Sequence, residues 1–239
     1  MAKRGFDIIV SLILLVLAAP VLALAMLAIW LQDGHSPLHR GVRVGRGNRD
    51  FRMIKLRSMA VDAEARGGTS TARGDPRITP LGRRLRRWKI DELPQFWNVL
   101  IGEMSLVGPR PNTRRGGVDH YTADEMGLLS IRPGITDLAS IAFADEGDVL
   151  AGAADPDAHY DAVIRPWKSR LGLLYVGKRS LWLDFRIVRL TAVAIASRPA
   201  ALESLAAILD QLDADPDLKR ICRRQEPLPQ GLPPGLTAS

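Results

Sequence analysis

Residues 8–31 read IIVSLILLVLAAPVLALAMLAIWL, 24 positions without a charged side chain. A straight helix of that length spans ~36 Å, more than the ~30 Å hydrocarbon core of a bilayer. The run is too long and too apolar for the buried helix of a water-soluble domain. A cleaved secretory leader fits poorly. Lys3 and Arg4 could form its basic start, and Ala23–Ala25 a cleavage site. The apolar stretch is too long for that role, and the arginines that follow resist translocation. Pro20 divides the run into 12 residues before and 11 after. A mid-helix proline removes one hydrogen bond and crowds the preceding turn, which predicts a kink there. Two topologies follow: a kinked crossing, or a helix that dips in and returns with both ends on one face. Basic residues flank both ends, and this charge pattern alone leaves the two open.

Working outward, Arg40, Arg43, Arg46, Arg49, Arg52 and Lys55 recur every third position. Gly45, Gly47 and Asn48 read as a turn between two extended runs, so a hairpin is expected. A basic run beside a membrane helix attracts anionic lipid by roughly 1 kcal/mol per residue, and Lys55 and Arg57 are candidates for holding phosphate. Residues 1–89 carry 17 Lys and Arg against 6 Asp and Glu, a surplus of 11, whereas residues 90–239 are acidic by 4. Arginines number 27 and lysines 6, a bias that suits bidentate phosphate binding and that a GC-rich genome also produces. Charged residues at 25% and hydrophobic ones at 46% exclude a disordered chain. One cysteine excludes a disulfide framework, and four histidines argue against a multi-histidine metal centre. No aromatic interleaving or known motif marks the basic clusters as a nucleic-acid surface, so none is expected as a partner.

Residues 86–111 read RRWKIDELPQFWNVLIGEMSLVGPRP. Asp91 and Glu92 are adjacent acids behind a second basic cluster, Arg83 to Lys89. Neighbouring cations favour the ionised carboxylate, so Asp91 is expected to be charged and nucleophilic. Consecutive helical residues point about 100° apart, which gives the two acids separate roles. An acid pair before Pro94 is also an ordinary helix start. The loop SLVGPRP tips the balance, because Pro109 and Pro111 stiffen a turn that presents Arg110 to an acid pair. IRPGIT, at residues 131–136, repeats this chemistry with Arg132.

These segments make the chain resemble the bacterial sugar transferases, the monotopic polyprenyl-phosphate phosphoglycosyl transferases. KRGFD near the start, RVG at 43–45, FRMIKLRSM at 51–59, DPRITPLGRRLRR at 75–87, IDELPQFWNVLIGEMSLVGPRP, RPGIT and YVGKRSLWLDFRIVRLT at 175–191 occur in the family's order. DELPQ followed by GEMSLVGPRP is the most specific part. The resemblance implies transfer of a sugar 1-phosphate from a UDP-sugar to polyprenyl phosphate, with release of UMP. That is the first membrane step of exopolysaccharide or related glycan assembly. It implies Asp91 as nucleophile of an aspartyl-phosphosugar intermediate, Glu92 as its partner in metal binding or in activation of the lipid phosphate, and magnesium held by the pair. Arg86 and Arg110 match phosphate-contacting positions.

The implied fold is α+β and mainly helical. A re-entrant membrane helix-break-helix (1–34) precedes a cytosolic catalytic domain (35–212) with amphipathic interfacial helices and a small β-hairpin. Its implied place is the cytosolic face of a bacterial inner membrane. Two departures stand out. The break carries Ala19-Pro20 where the family often has Ser-Pro, and residues 137–152, DLASIAFADEGDVLAG, replace a GWAQVNGR stretch, so the donor sugar stays open. A reading from another class is a non-catalytic, membrane-tethered basic module that binds anionic lipid or nucleic acid.

Beyond the motifs, apolar residues at helical spacing (Ile187, Leu190, Val193, Ile195, then Leu202 to Leu212) predict two helices separated by Pro199. The Pro/Gly-rich end predicts a partly disordered tail over 213–239, and Asp184 reads as a helix-surface or buried ion-pair residue rather than a ligand.

Overall fold

A computed structural model describes residues 2–236 apart from 64, 67 and 69. Helix α1 (Ala2–Asp33) contains the whole apolar run. The expected break is absent, because α1 continues through Pro20 as one helix. A proline deletes a single backbone donor, and the turns on either side keep theirs. One face of α1 packs on the rest of the chain. Asp7, Ser11, Leu22 and Ile29 are buried along it, with Leu15, Ala18 and Met26 between them. The opposite face, including Ile9, Ile13, Leu17, Leu24 and Leu31, is exposed.

Both ends of α1 are fastened to the same body. At the N-terminal end, Arg4 donates to the carbonyls of Val99 and Leu100 at 2.5 and 2.7 Å. Asp7 accepts from Ser105 Oγ at 2.9 Å, and Lys3 bridges Asp7 and Asp184. At the far end Asp33 takes both Nη atoms of Arg57, each at 2.6 Å. The KRGFD segment is thus a docking sequence.

Strands β1 (Leu38–Val44) and β2 (Asp50–Leu56) form the expected antiparallel hairpin, with Leu38 opposite Leu56 and Val44 opposite Asp50. The connecting turn places Gly47 and Asn48 at positive φ, which glycine and asparagine tolerate best. Helix α2 (Pro80–Arg87) is capped by Thr79, whose hydroxyl accepts from Gly82 N. A 3₁₀ turn (Ile90–Glu92) joins it to α3 (Gln95–Ile101). Asn98, fully buried, accepts from Ile54 N at 3.0 Å and donates to Arg52 O at 2.8 Å, which locks α3 to β2.

Strands β3 (Ser105–Val107) and β4 (Gly134–Thr136) pair in parallel. Gly108 and Gly134 meet backbone to backbone there. A Cβ on Gly134 would lie 2.1 Å from Gly108 N, so the glycines of GPRP and RPGIT are required by close approach.

The remaining chain is helical: α4 (Leu138–Ala142), α5 (Glu146–Val149), α6 (Pro156–Val163), α7 (Arg165–Lys178), α8 (Leu181–Ala196), α9 (Arg198–Gln211) and α10 (Pro216–Arg223). Asp137, Asp155, Ser180 and Asp215 cap α4, α6, α8 and α10 through their side chains. Pro199 lies in the first turn of α9, as its spacing predicts. Leu171, Ile187, Leu205 and Leu209 form the centre of the main core. Asp184 pairs with Lys3, as expected, and accepts from Tyr175 Oη at 2.5 Å.

Of the tail expected over 213–239, residues 237–239 lie outside the described residues. Residues 213–236 include α10, whose Leu218, Ile221 and Cys222 are buried. The Pro-rich segment after it is tied down by Trp167 Nε1 to Pro229 O at 3.2 Å and Gly231 N to Ala162 O at 3.0 Å. Its composition concealed these partners because they lie some 60 residues upstream.

Candidate active site

The acid pair sits where three tightly joined segments meet. Lys89 adopts a left-handed conformation, φ 57°, which ends α2 and turns the chain into the 3₁₀ turn carrying Asp91 and Glu92. Gly82, Leu85 and Arg86 face inward on α2, whereas Arg83, Arg84 and Arg87 are exposed. Gly82 allows this approach, since a Cβ would lie 1.9 Å from Ser58 O. Arg86 then donates through Nε to Ser58 Oγ at 2.9 Å. Lys55 follows Phe51 and Met53 on the inward face of β2 and reaches Glu92 at 3.3 Å. Arg110 comes from the loop after β3. It holds Glu92 with both Nη atoms, one at 3.1 Å, and donates to Ile135 O at 3.1 Å.

The two carboxylates therefore differ. Glu92 is locked between Arg110 and Lys55. Burial alone would raise its pKa, but Arg110, Lys55 and Lys89 together outweigh burial and hold it well below the usual carboxylate range. Asp91 is 6% exposed and, among the described residues, receives no hydrogen bond or ion pair. Its pKa is shifted upward, chiefly by burial and then by Glu92, against the pull of Lys55, Arg86 and Arg110. The expectation that neighbouring cations dominate Asp91 is thus reversed in direction, because desolvation is the larger effect. A raised pKa makes the ionised carboxylate a stronger nucleophile. Burial pushes Lys55 down to about 8 although Glu92 opposes the shift.

Lys55, Arg86, Asp91, Glu92 and Arg110 are brought together as expected. Arg57 and Arg132 are not. β2 ends at Leu56, so Arg57 leaves the strand's alternation and clamps Asp33 and Ser36 O. Arg132 donates to Gly102 O at 2.7 Å, just past the C-terminus of α3, where helix carbonyls favour a cation. Two polar residues escaped the sequence reading. Ser58 orients Arg86, and Gln95 of DELPQ is fully buried with neither amide atom hydrogen-bonded to the protein. The signal for Gln95 was a polar amide inside an otherwise apolar turn of α3.

No group of three or more His, Cys, Asp or Glu able to hold a metal occurs among the described residues. Magnesium makes smaller demands: one or two carboxylates, with phosphate and water completing the shell. The uncommitted oxygens of Asp91, beside the charged Glu92, fit that donor set.

Lys55, Arg86 and Arg110 thus surround one locked and one uncommitted carboxylate, and Ile90 and Leu93 beside them pack against the cluster that holds Leu22 and Ile29 of α1. The chain belongs to the bacterial sugar transferase family, whose model matches residues 1–198. It is 41% identical over 195 residues to undecaprenyl-phosphate glucose phosphotransferase of Komagataeibacter xylinus, covering 79% of this chain and 35% of that one. UDP-glucose:undecaprenyl-phosphate glucose-1-phosphate transferase of Caulobacter vibrioides is 36% identical, over 81% of this chain and 69% of its own. Exopolysaccharide production protein PSS of Rhizobium leguminosarum is 37% identical, over 82% and 96%. The chain spans little more than a third of the Komagataeibacter protein.

Proposed function

We propose that this chain transfers a sugar 1-phosphate from a UDP-sugar to undecaprenyl phosphate in two displacements at phosphorus. Asp91 attacks the sugar-bearing phosphorus, the diphosphate P–O bond breaks, and UMP leaves with the bonding electrons. An oxygen of the lipid phosphate then attacks the same phosphorus. The aspartyl–phosphate bond breaks, the carboxylate is regenerated, and a lipid diphosphate sugar is formed.

The observation that carries this reading is the unequal treatment of two adjacent acids. Glu92 is immobilised by Arg110 and Lys55, so it can orient cations but is poorly placed to attack. Asp91 is buried, uncommitted and more basic than usual. Attack on a diphosphate by a carboxylate requires positive charge at the phosphate oxygens. Arg86, Arg110 and Lys55 supply it, and a magnesium ion held by Asp91 and Glu92 would add Lewis-acid neutralisation. A non-catalytic basic module has no use for this arrangement, and the curated relatives above that carry an activity name are phosphotransferases.

The docking of α1 supports a monotopic topology with both helix ends on the cytosolic face. Its two ends are fastened to one domain, whereas a crossing helix would separate them by a bilayer. Exposed Leu181, Trp182 and Phe185 at the start of α8, together with Trp97 and Ile101 on α3, suit the headgroup region. In this reading they set the acid pair at the height of the lipid phosphate.

Asp91→Asn should abolish transfer of radiolabelled sugar phosphate into the lipid phase while membrane association persists. Wild-type transfer rates in that variant would end the mechanism. The donor sugar is read by screening UDP-sugars for UMP release.

A further inference from the structure

A cavity of about 380 Å³ lies between α5, α6, α9 and the segment after α10, and none of Lys55, Arg86, Asp91, Glu92 or Arg110 lines it. Its charged lining is two acids, Asp145 and Glu226, and two arginines, Arg198 and Arg224. Arg224 Nη2 donates to Asp145 Oδ2 at 2.7 Å, and Arg198 Nη2 lies 2.8 Å from Asp145 Oδ1, out of line for a hydrogen bond. Two guanidinium groups share the Asp145 carboxylate, so the inner part of the wall carries surplus positive charge. Glu226, at the same cavity, is 71% exposed and turns to Arg220 at 3.8 Å.

The donors on this wall are not all used. Arg198 Nε and Nη2 and Arg224 Nε are buried and hydrogen-bond to no protein acceptor. Arg224 is only 9% exposed, and its backbone is in the left-handed region at φ 53°. A buried guanidinium held by strained backbone, with an N–H left over, is costly unless an acceptor completes it. Val149, Val163 and Leu228 form an apolar wall. The volume is that of a dozen waters at about 30 Å³ each, so it holds more than a bare anion. The family match ends at residue 198, so Arg224 and Leu228 come from sequence outside it.

We propose that this cavity is a binding site for a small organic phosphate monoester, separate from the acid pair. The phosphate oxygens accept from Arg198 and Arg224, and the organic body packs on Val149, Val163 and Leu228. Asp145 stays between the arginines and fixes their spacing. The next residue, Glu146, does not line this cavity and pairs with Lys168 instead.

Equilibrium dialysis of the full-length protein in detergent, at fixed ionic strength, tests this with three labelled probes: inorganic phosphate, UMP and glucose 1-phosphate. For at least one of the two esters the wild type should show two sites. Arg198→Gln should weaken one of them at least tenfold and leave the other unchanged. Arg110→Gln should weaken the other and spare this one, so failure here and failure at the acid pair are distinguishable. The ester that binds identifies the body as nucleoside or sugar. Unchanged binding of both esters in Arg198→Gln overturns the proposal, as does a site that takes inorganic phosphate but neither ester. Arg224→Gln is the second variant. If it unfolds, as circular dichroism would show, Arg198→Gln still decides, because that side chain is 39% exposed.

Discussion

Replacing Gly134 by alanine probes the joint that carries Arg110. The new Cβ would sit 2.1 Å from Gly108 N and 2.4 Å from Gly108 O, with ordinary contact beginning near 3.4 Å. Both obstacles are backbone, so the two loops must separate by more than 1 Å. That separation strains the bonds from Gly134 N to Pro109 O at 3.0 Å, Gly108 N to Thr136 O at 3.1 Å and Ser105 N to Pro133 O at 2.9 Å. Overpacking costs ~1–3 kcal/mol and each of the three weakened hydrogen bonds ~1 kcal/mol, which together give a loss of about 4–6 kcal/mol. Arg110 hangs from Ile135 O in the same joint, and a displacement near 1 Å can cost ~100-fold in rate. Thermal unfolding in detergent and the transfer rate of the surviving folded fraction read the two effects. Gly177→Ala in α7 is the control. Nothing lies within 4 Å of its Cβ, and alanine at a helix position should stabilise by up to ~1 kcal/mol. Wild-type stability and activity in Gly134→Ala would refute the claim that the glycine contact positions Arg110.

Two further outcomes follow. Lys55, with its pKa pushed down to about 8, is protonated below that pH and loses its charge above it. The kcat/KM profile should therefore fall on its alkaline side near pH 8, and Lys55→Arg should move that fall upward; an unmoved limb would assign it to another group. The buried Cys222 thiol is pushed up to about 12. It should resist iodoacetamide at pH 8 in the folded protein and react only on unfolding, and rapid labelling under native conditions would contradict its packing in α10.

The parts of this fold legible in the sequence were those set by local physics. The apolar run, the Gly47-Asn48 turn and the Pro199 helix start each depend on neighbouring residues, and each appears in the structure. The acid pair was legible mainly through resemblance, because its immediate neighbours also suit an ordinary helix start and only the SLVGPRP loop, some 15 residues on, argues otherwise. Three placements turn on distant partners. Arg57 was drawn to Asp33, 24 residues back. The tail was held by α7. Asp91 was desolvated by packing that its basic neighbours do not reveal. Pro20 differs again: it forbids one hydrogen bond but does not dictate whether the helix breaks.

The central claim is that the uncommitted carboxylate of Asp91 takes up the sugar phosphate. Intact-protein mass spectrometry after incubation with a UDP-sugar donor, without lipid acceptor, tests it most directly. A mass gain of one sugar phosphate is expected, mapped to the peptide containing Asp91 and discharged by adding undecaprenyl phosphate. An adduct on another residue, or transfer proceeding with none formed at Asp91, would contradict it.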